Sequence, residues 1–146
     1  MDMLRVRFKP DDQWHGELEI WASAGGFSGT GKAWFSTDEL RLFASAIIAF
    51  PLPADLPPTI TGGLGGNDKS PPQELVALTF EPHNAVGAVR ATVHLATEHW
   101  NGKERDLVND ITMRFLVSYG DLATFGPAML DAIDGRADKA VLTATL

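Results

Sequence analysis

The segment Glu17-Leu-Glu-Ile-Trp-Ala-Ser-Ala-Gly-Gly-Phe-Ser-Gly-Thr-Gly-Lys-Ala-Trp-Phe35 predicts a β-hairpin. Gly25-Gly26 separates two alternating runs and suits a two-residue type I′ turn, because glycine adopts positive φ without strain. This turn places small and apolar residues opposite one another on one face and pairs Glu19 with Lys32 on the other. Both faces are chemically consistent, so we expect an antiparallel sheet built around this hairpin.

The next segment, residues 35–51, predicts an amphipathic helix over residues 36–50. Ser36 and Glu39 have the spacing of a capping box, and Pro51 cannot continue a helix. Apolar side chains recur at the i, i+3, i+4, i+7 spacing of one buried face. They are Leu40, Phe43, Ala44 and Ile47.

The inner face of the predicted hairpin is shallow along its second strand. The residues there are small, namely Gly29, Gly31 and Ala33. A helix can approach such a surface closely, whereas bulky side chains would hold it away. We therefore expect the helix over residues 36–50 to lie in this trough.

Alternating apolar and polar residues predict further strands before and after these elements. The strands cover residues 4–9, 74–81, 88–97 and 107–118, with a brief pairing at 59–61. Asn101-Gly102 favours a hairpin turn. A strict two-residue turn there would place Val93 opposite Asp110 and mix the two faces. We therefore expect a bulge or a longer loop between Glu98 and Asp106.

Near the C-terminus, residues 121–134 predict a second helix, with Asp121 as its cap and Gly135 as its stop. The tail, residues 139–146, is strand-like in composition and forms either an added edge strand or a frayed terminus. The fold class is therefore α+β, in a single domain over residues 1–146. We expect a mainly antiparallel sheet of about six to seven strands, with both helices on one side.

Composition narrows the functions that this chain can perform. It has 146 residues, no cysteine and a net charge of −7, with a pI near 4.9. An acidic surface argues against nucleic acid as a partner, since phosphate binding needs a basic surface. No segment predicts a signal peptide or a membrane span, so we expect a cytoplasmic protein. The acidity either serves solubility or favours a basic protein partner.

Candidate chemical groups are few. His94, Glu98 and His99 form a His/carboxylate cluster, without the HExxH spacing and without an evident third ligand. The loop Gly62–Pro72 resembles a phosphate-binding loop, but Asp68 stands where that motif needs glycine. Solvated surface histidines and a plain connecting loop are the alternatives. We therefore assign no catalytic residue, no metal and no cofactor, and expect a protein that is not an enzyme.

The tryptophan residues are more informative than the titratable groups. Trp21 and Trp34 fall on the polar face of the hairpin, next to Glu17, Glu19 and Lys32. Exposed aromatic residues among charges are typical of protein interfaces, so these five residues are our candidate binding surface. The alternatives are that a terminal strand, a loop or a second copy covers the tryptophans, or that the two faces are inverted.

A last set of positions follows the order found in a known family. The set comprises Gly26-Phe27-x-Gly29, a strand ending at Trp34-Phe35, Glu39-Leu40 with Phe43 and Ile47-Ile48, and a late strand leading into Asp121-Leu122 and a closing helix. In these positions the chain resembles the WapI-family immunity proteins, small bacterial proteins of polymorphic toxin systems. The similarity covers most of residues 15–134. It implies a protein that binds and blocks a toxin, and it transfers no catalytic residue. Many toxins of this kind are basic nucleases, which agrees with the acidic charge.

The sequence supports three hypotheses about function. The first is a non-enzymatic protein-binding domain, in its narrower form an immunity protein that neutralises a basic toxin. The second is a small-ligand-binding or enzymatic domain that uses His94, Glu98 and His99. The third is a homo-oligomeric structural domain, such as a homodimer with the tryptophans at the contact.

Overall fold

The structure, a computed structural model, describes residues 1–64, 73–99 and 106–146. Within these ranges the chain forms eight β-strands and two α-helices. In order they are β1 (Met3–Pro10), β2 (His15–Ala24), β3 (Phe27–Ser36), α1 (Thr37–Ala46), β4 (Thr59–Leu64), β5 (Gln73–Pro82), β6 (Ala88–Ala96), β7 (Asp110–Ser118), α2 (Tyr119–Ile133) and β8 (Ala140–Thr143). The predicted Asn101-Gly102 turn and most of the predicted loop Gly62–Pro72 lie outside the described residues.

The strands form two antiparallel sheets of four, so the prediction of one sheet with six to seven strands is wrong in this respect. Sheet 1 has the order β3-β2-β1-β8, and sheet 2 has the order β4-β5-β6-β7. A helix is about 10 Å wide and neighbouring strands are about 4.8 Å apart, so one helix covers only about two strands. Two helices therefore cannot cover eight strands, and the sheets bury apolar faces against each other. The α+β class itself is confirmed.

The hairpin of β2 and β3 has the predicted turn and the predicted register. Gly25 and Gly26 have φ values of 58° and 86°, as a type I′ turn requires. Glu19 lies opposite Lys32, and the remaining pairs follow the same register along the whole hairpin. Apolar side chains of β2 are buried on the inner face, so the two faces are not inverted.

The shallow trough on the inner face is occupied by sheet 2, not by α1 as the sequence suggested. A Cβ atom added to Gly29 would lie 3.0 Å from Ile111 Cγ2, and one added to Gly31 would lie 3.1 Å from Leu95 Cδ2. The small residues therefore do allow a close approach, as predicted. The prediction named the wrong partner, because any apolar surface can fill such a space.

Helix α1 begins at the predicted position but ends at Ala46 rather than at residue 50. Ser36 is its N-cap, and the Ser36 hydroxyl accepts a hydrogen bond from the Glu39 N–H at 3.1 Å. Pro51 forces the preceding residue away from the helical region, so the chain leaves the helix before residue 50. The four residues of the predicted apolar face are all buried.

Helix α2 begins two residues before its predicted start. Its N-cap is Ser118, and Asp121, the predicted cap, is instead the third helical residue. The Ser118 hydroxyl accepts from the Asp121 N–H and the Asp121 carboxylate accepts from the Ser118 N–H, each at 2.9 Å. Gly135 ends the helix as predicted, with a φ of 78° and an Arg136 N–H bond to the Asp131 carbonyl at 2.8 Å. Both residues of a capping box suit an N-cap, and the prediction chose the wrong one.

One hydrophobic core contains residues from both sheets and both helices. The Phe43 ring of α1 stacks on Phe80 of β5, with ring centroids 6.0 Å apart. The helices approach closely at Gly126, where an added Cβ atom would lie 2.9 Å from the Ala44 carbonyl oxygen. In the described part of the chain, neither helix has the length and apolar character needed to cross a bilayer.

Two further predictions concern strand pairing. Strand β8 pairs with β1, so the tail forms the edge strand that was one of its two alternatives. Strands β6 and β7 place Val93 opposite Met113 and Ala96 opposite Asp110. This register is not the one that a strict two-residue turn at Asn101-Gly102 would give, which agrees with the prediction of a bulge or a longer loop between Glu98 and Asp106.

Candidate protein-binding site

The outer face of sheet 1 carries alternating columns of charge. On β2, Glu17 lies opposite Lys9 of β1, and Glu19 lies between Arg7 of β1 and Lys32 of β3. Opposite charges on neighbouring strands favour this register. The face that the sequence marks as polar is therefore the exterior of sheet 1.

The two tryptophans of this face differ in their surroundings. Trp21 is half-buried, and the guanidinium of Arg5 lies 5.4 Å from the centroid of its ring, within cation–π range. Trp34 lies opposite Glu17 on the edge strand β3, and 54% of its surface is exposed. The accessible aromatic residue of the candidate surface is therefore Trp34, because Arg5 covers part of Trp21.

A groove with a volume of about 660 Å³ runs along β3. Four of the five candidate residues line it, namely Glu17, Glu19, Lys32 and Trp34. The opposite wall is formed by strands β4 and β5 of sheet 2 and by the end of β6 with the residues that follow it. It includes Leu64, Leu75 and Glu98. A volume of several hundred Å³ is sufficient for a few side chains of a partner.

The groove is acidic and partly aromatic. Among the described residues that line it, three carry a carboxylate (Glu17, Glu19 and Glu98) and one carries an ammonium group (Lys32). The exposed ring of Trp34 can stack with a guanidinium or an ammonium group. A cation would therefore find both charge complementarity and an aromatic surface in this groove.

Leu75 reaches the groove through a β-bulge. The register between β4 and β5 shifts so that Gly62 lies opposite Val76 and Gly63 lies opposite Glu74, which leaves Leu75 without a counterpart. Both Leu75 and Val76 are buried, although successive residues of a regular strand point to opposite faces. Adjacent apolar residues opposite a Gly-Gly pair are a sequence signal for such a bulge, and the sequence interpretation missed it.

The backbone of β3 has a free edge beside the groove. In a two-residue turn the flanking pair, Ala24 and Phe27, is hydrogen-bonded, and such pairs alternate along an antiparallel ladder. The N–H and C=O groups of Thr30, Lys32 and Trp34 therefore point away from β2. Within residues 1–64, 73–99 and 106–146, no strand pairs with this edge.

The predicted cluster of His94, Glu98 and His99 does not converge on one site. His94 Nδ1 contacts the Glu74 carboxylate, and its Nε2 lies 3.4 Å from Asp110 Oδ2 on the outer face of sheet 2. Glu98 instead lines the groove beside β3.

His99 is held through its backbone. The Gln73 side-chain amide donates to the His99 carbonyl at 2.6 Å, and the His99 N–H donates to Gln73 Oε1 at 3.0 Å. Neither His94 nor His99 lines the groove. In the ranges that the structure describes, no group of three His, Asp or Glu side chains is arranged to hold a metal ion.

Comparisons with family models, with curated protein sequences and with solved structures found no match.

Proposed function

We propose that this protein is a non-enzymatic binding domain that recognises a basic protein through the groove beside β3. The observation that carries the proposal is the exposed ring of Trp34 on an edge strand, next to the carboxylates of Glu17, Glu19 and Glu98. Tryptophan residues that lose water on binding dominate many protein interfaces. Glutamates around such an anchor select partners of positive charge and increase the rate of association.

In its narrower form, the proposal is that the protein is an immunity protein that neutralises a basic toxin. The resemblance to WapI-family immunity proteins motivates this form, and the net charge of −7 supports it. A strongly acidic protein attracts a basic partner over long distances at low salt. The same charge disfavours a nucleic acid partner.

The test is affinity capture from a lysate and a culture supernatant of the source cells, with the purified protein as bait. We expect one basic protein to be retained by the wild type and lost with Trp34→Ala. Trp14→Ala is the matched control, because Trp14 is 59% exposed and lies outside the groove. We expect this variant to retain the partner. Circular dichroism establishes that each variant is folded.

Two results would contradict the proposal. One is a partner that both tryptophan variants retain equally, which would place the interface elsewhere. The other is concentration-dependent sedimentation of the wild type that Trp34→Ala abolishes, which would instead favour the homodimer hypothesis. The narrower form requires in addition that the captured protein is toxic when expressed alone and harmless when expressed together with the wild type.

A further inference from the structure

We infer that the partner binds through an extended segment that adds to β3 as a fifth, antiparallel strand of sheet 1. This inference rests on the proposed function and specifies how the same groove recognises its partner. Among the residues that the structure describes, the N–H and C=O groups of Thr30, Lys32 and Trp34 have no strand partner on the outer edge of β3, in the stretch that lines the groove. Exposed sheet edges bind peptides in this way, because backbone hydrogen bonds supply affinity and alternate side chains supply specificity.

The geometry of the edge assigns a face to each residue of the added strand. In an antiparallel pair, residues that face each other directly have side chains on the same side of the sheet. A residue opposite Trp34 or Thr30 would therefore place its side chain on the outer face, the side from which Glu17 and Glu19 line the groove. The alternate residues would point toward Leu64 and Leu75 on the opposite wall. The segment therefore combines basic residues on one side with apolar residues on the other.

Charge decides between a basic segment and a second copy of this chain as the occupant. Pairing two β3 edges would bring the glutamates of one groove against those of the other. It would also join two chains that each carry a net charge of −7. A basic residue opposite Trp34 instead lies on the same face as Glu17, with Trp34 between them and about 10 Å from strand to strand, a span that an arginine side chain can reach across. Lys32 disfavours a cation directly opposite itself, so we expect a neutral residue at that position.

The defined probe is the peptide acetyl-Arg-Val-Thr-Val-Arg-amide, whose five residues match the span from Thr30 to Trp34. Its central threonine lies opposite Lys32 when the two arginines lie opposite Thr30 and Trp34. We expect a dissociation constant on the order of 1 mM at low salt, since the contact is small. We expect amide hydrogen exchange to slow at Thr30, Lys32 and Trp34, while Gly31, already bonded to β2, changes little.

N-methylation of the peptide separates strand addition from a contact made by side chains alone. A methyl group on the central threonine removes the hydrogen bond to β3, so binding should weaken at least about fivefold. A methyl group on the following valine lies on the far edge of the added strand and should change affinity by less than about twofold. Equal effects of the two methyl groups, or a larger effect at valine, would overturn the inference.

Charge variants complete the test. Binding should weaken with Glu17→Gln/Glu98→Gln and persist with the matched pair Asp55→Asn/Asp138→Asn, which lies outside the groove. The analogous peptide with glutamate in place of arginine should not bind. No binding of the arginine peptide at several times 1 mM would overturn the inference. So would protection of the same amides that rises with protein concentration without peptide.

Failure of strand addition and failure of the proposed function give different results. If the peptide does not bind but capture of a basic partner still depends on Trp34, strand addition is wrong and the proposed function stands. If the peptide binds as expected but no partner depends on Trp34, the groove binds basic segments and the proposed function fails.

Discussion

The Thr145 hydroxyl donates a hydrogen bond to Asp121 Oδ1 at 2.7 Å, and the Thr145 N–H donates to Asp121 Oδ2 at 3.1 Å. The same carboxylate accepts from the Ser118 N–H at the start of α2. One side chain therefore closes the capping box of α2 and holds the segment that follows β8. Partial burial alone would raise the pKa of Asp121, but the hydrogen bonds from Ser118 and Thr145 outweigh it and hold the pKa below its ordinary value.

Asp121→Asn should lower the free energy of unfolding by about 1 kcal/mol at pH 7, because it disrupts the cap and the link to Thr145. The effect stays modest because the group is partly exposed to solvent. A carboxyl whose pKa is lowered by folding stabilises the folded state at any pH above its pKa in the unfolded chain, which is near 3.8. This stabilisation is lost as the pH falls toward the pKa of the folded state. Urea unfolding from pH 7 to pH 3 should therefore show the difference between the two proteins shrinking below about pH 4. Asp55→Asn, an exposed aspartate, is the control; a difference independent of pH would contradict this role.

Gly126→Ala should destabilise the protein by about 1–3 kcal/mol through overpacking, because the new Cβ atom would press on the Ala44 carbonyl and on Ile48. Gly120→Ala is the matched change in the first turn of the same helix, where the Cβ atom would lie 3.6 Å from Ser118 Oγ. It should stabilise by up to about 1 kcal/mol, since alanine favours the helix. Thermal unfolding of both variants measures the contrast. Equal effects would show that the two helices are not in close contact at Gly126.

Substitutions at Gly25 should report the effect of turn conformation on stability without an effect of packing, because nothing lies within 4 Å of an added Cβ atom there. Gly25→Val should destabilise by about 1–2 kcal/mol, since a β-branched residue is strained at positive φ. Gly25→Asn should change stability by less than about 0.5 kcal/mol, because Asn-Gly is a preferred type I′ turn. Chemical denaturation provides the measurement, and a Gly25→Val protein as stable as the wild type would argue against the turn.

The two tryptophans of sheet 1 should differ in their accessibility to a neutral quencher. Trp34→Phe should lower the quenching of total fluorescence by acrylamide, because it removes an emitter with 54% of its surface exposed. Trp21→Phe should leave the average quenching unchanged or raise it, because it removes an emitter that Arg5, 5.4 Å from the centre of its ring, partly shields from the quencher. Arg5→Ala in the Trp34→Phe background should then increase the quenching of Trp21. If Trp21 is the more accessible residue, the anchor of the proposed interface is wrongly assigned.

Local chemistry was sufficient to predict several features of the fold. The positive φ values of Gly25-Gly26 set the register of β2 and β3, and with it the shared face of Trp34 and Glu17. Ser36 marked the start of α1, and Gly135 marked the end of α2. These signals act within a few residues, so they can be interpreted without knowing what packs on them.

The order of residues along the chain was enough to predict the strands, the hairpin register and the residues that face outward, because these depend on period and on turn conformation. Two features emerge only from the packed fold: sheet 2 covers Gly29 and Gly31, and Glu98 lines the same groove as Trp34. The physical reason is that hydrophobic burial is non-directional. An apolar face requires an apolar partner but does not specify which one, so residues distant in sequence meet only once the sheets have packed.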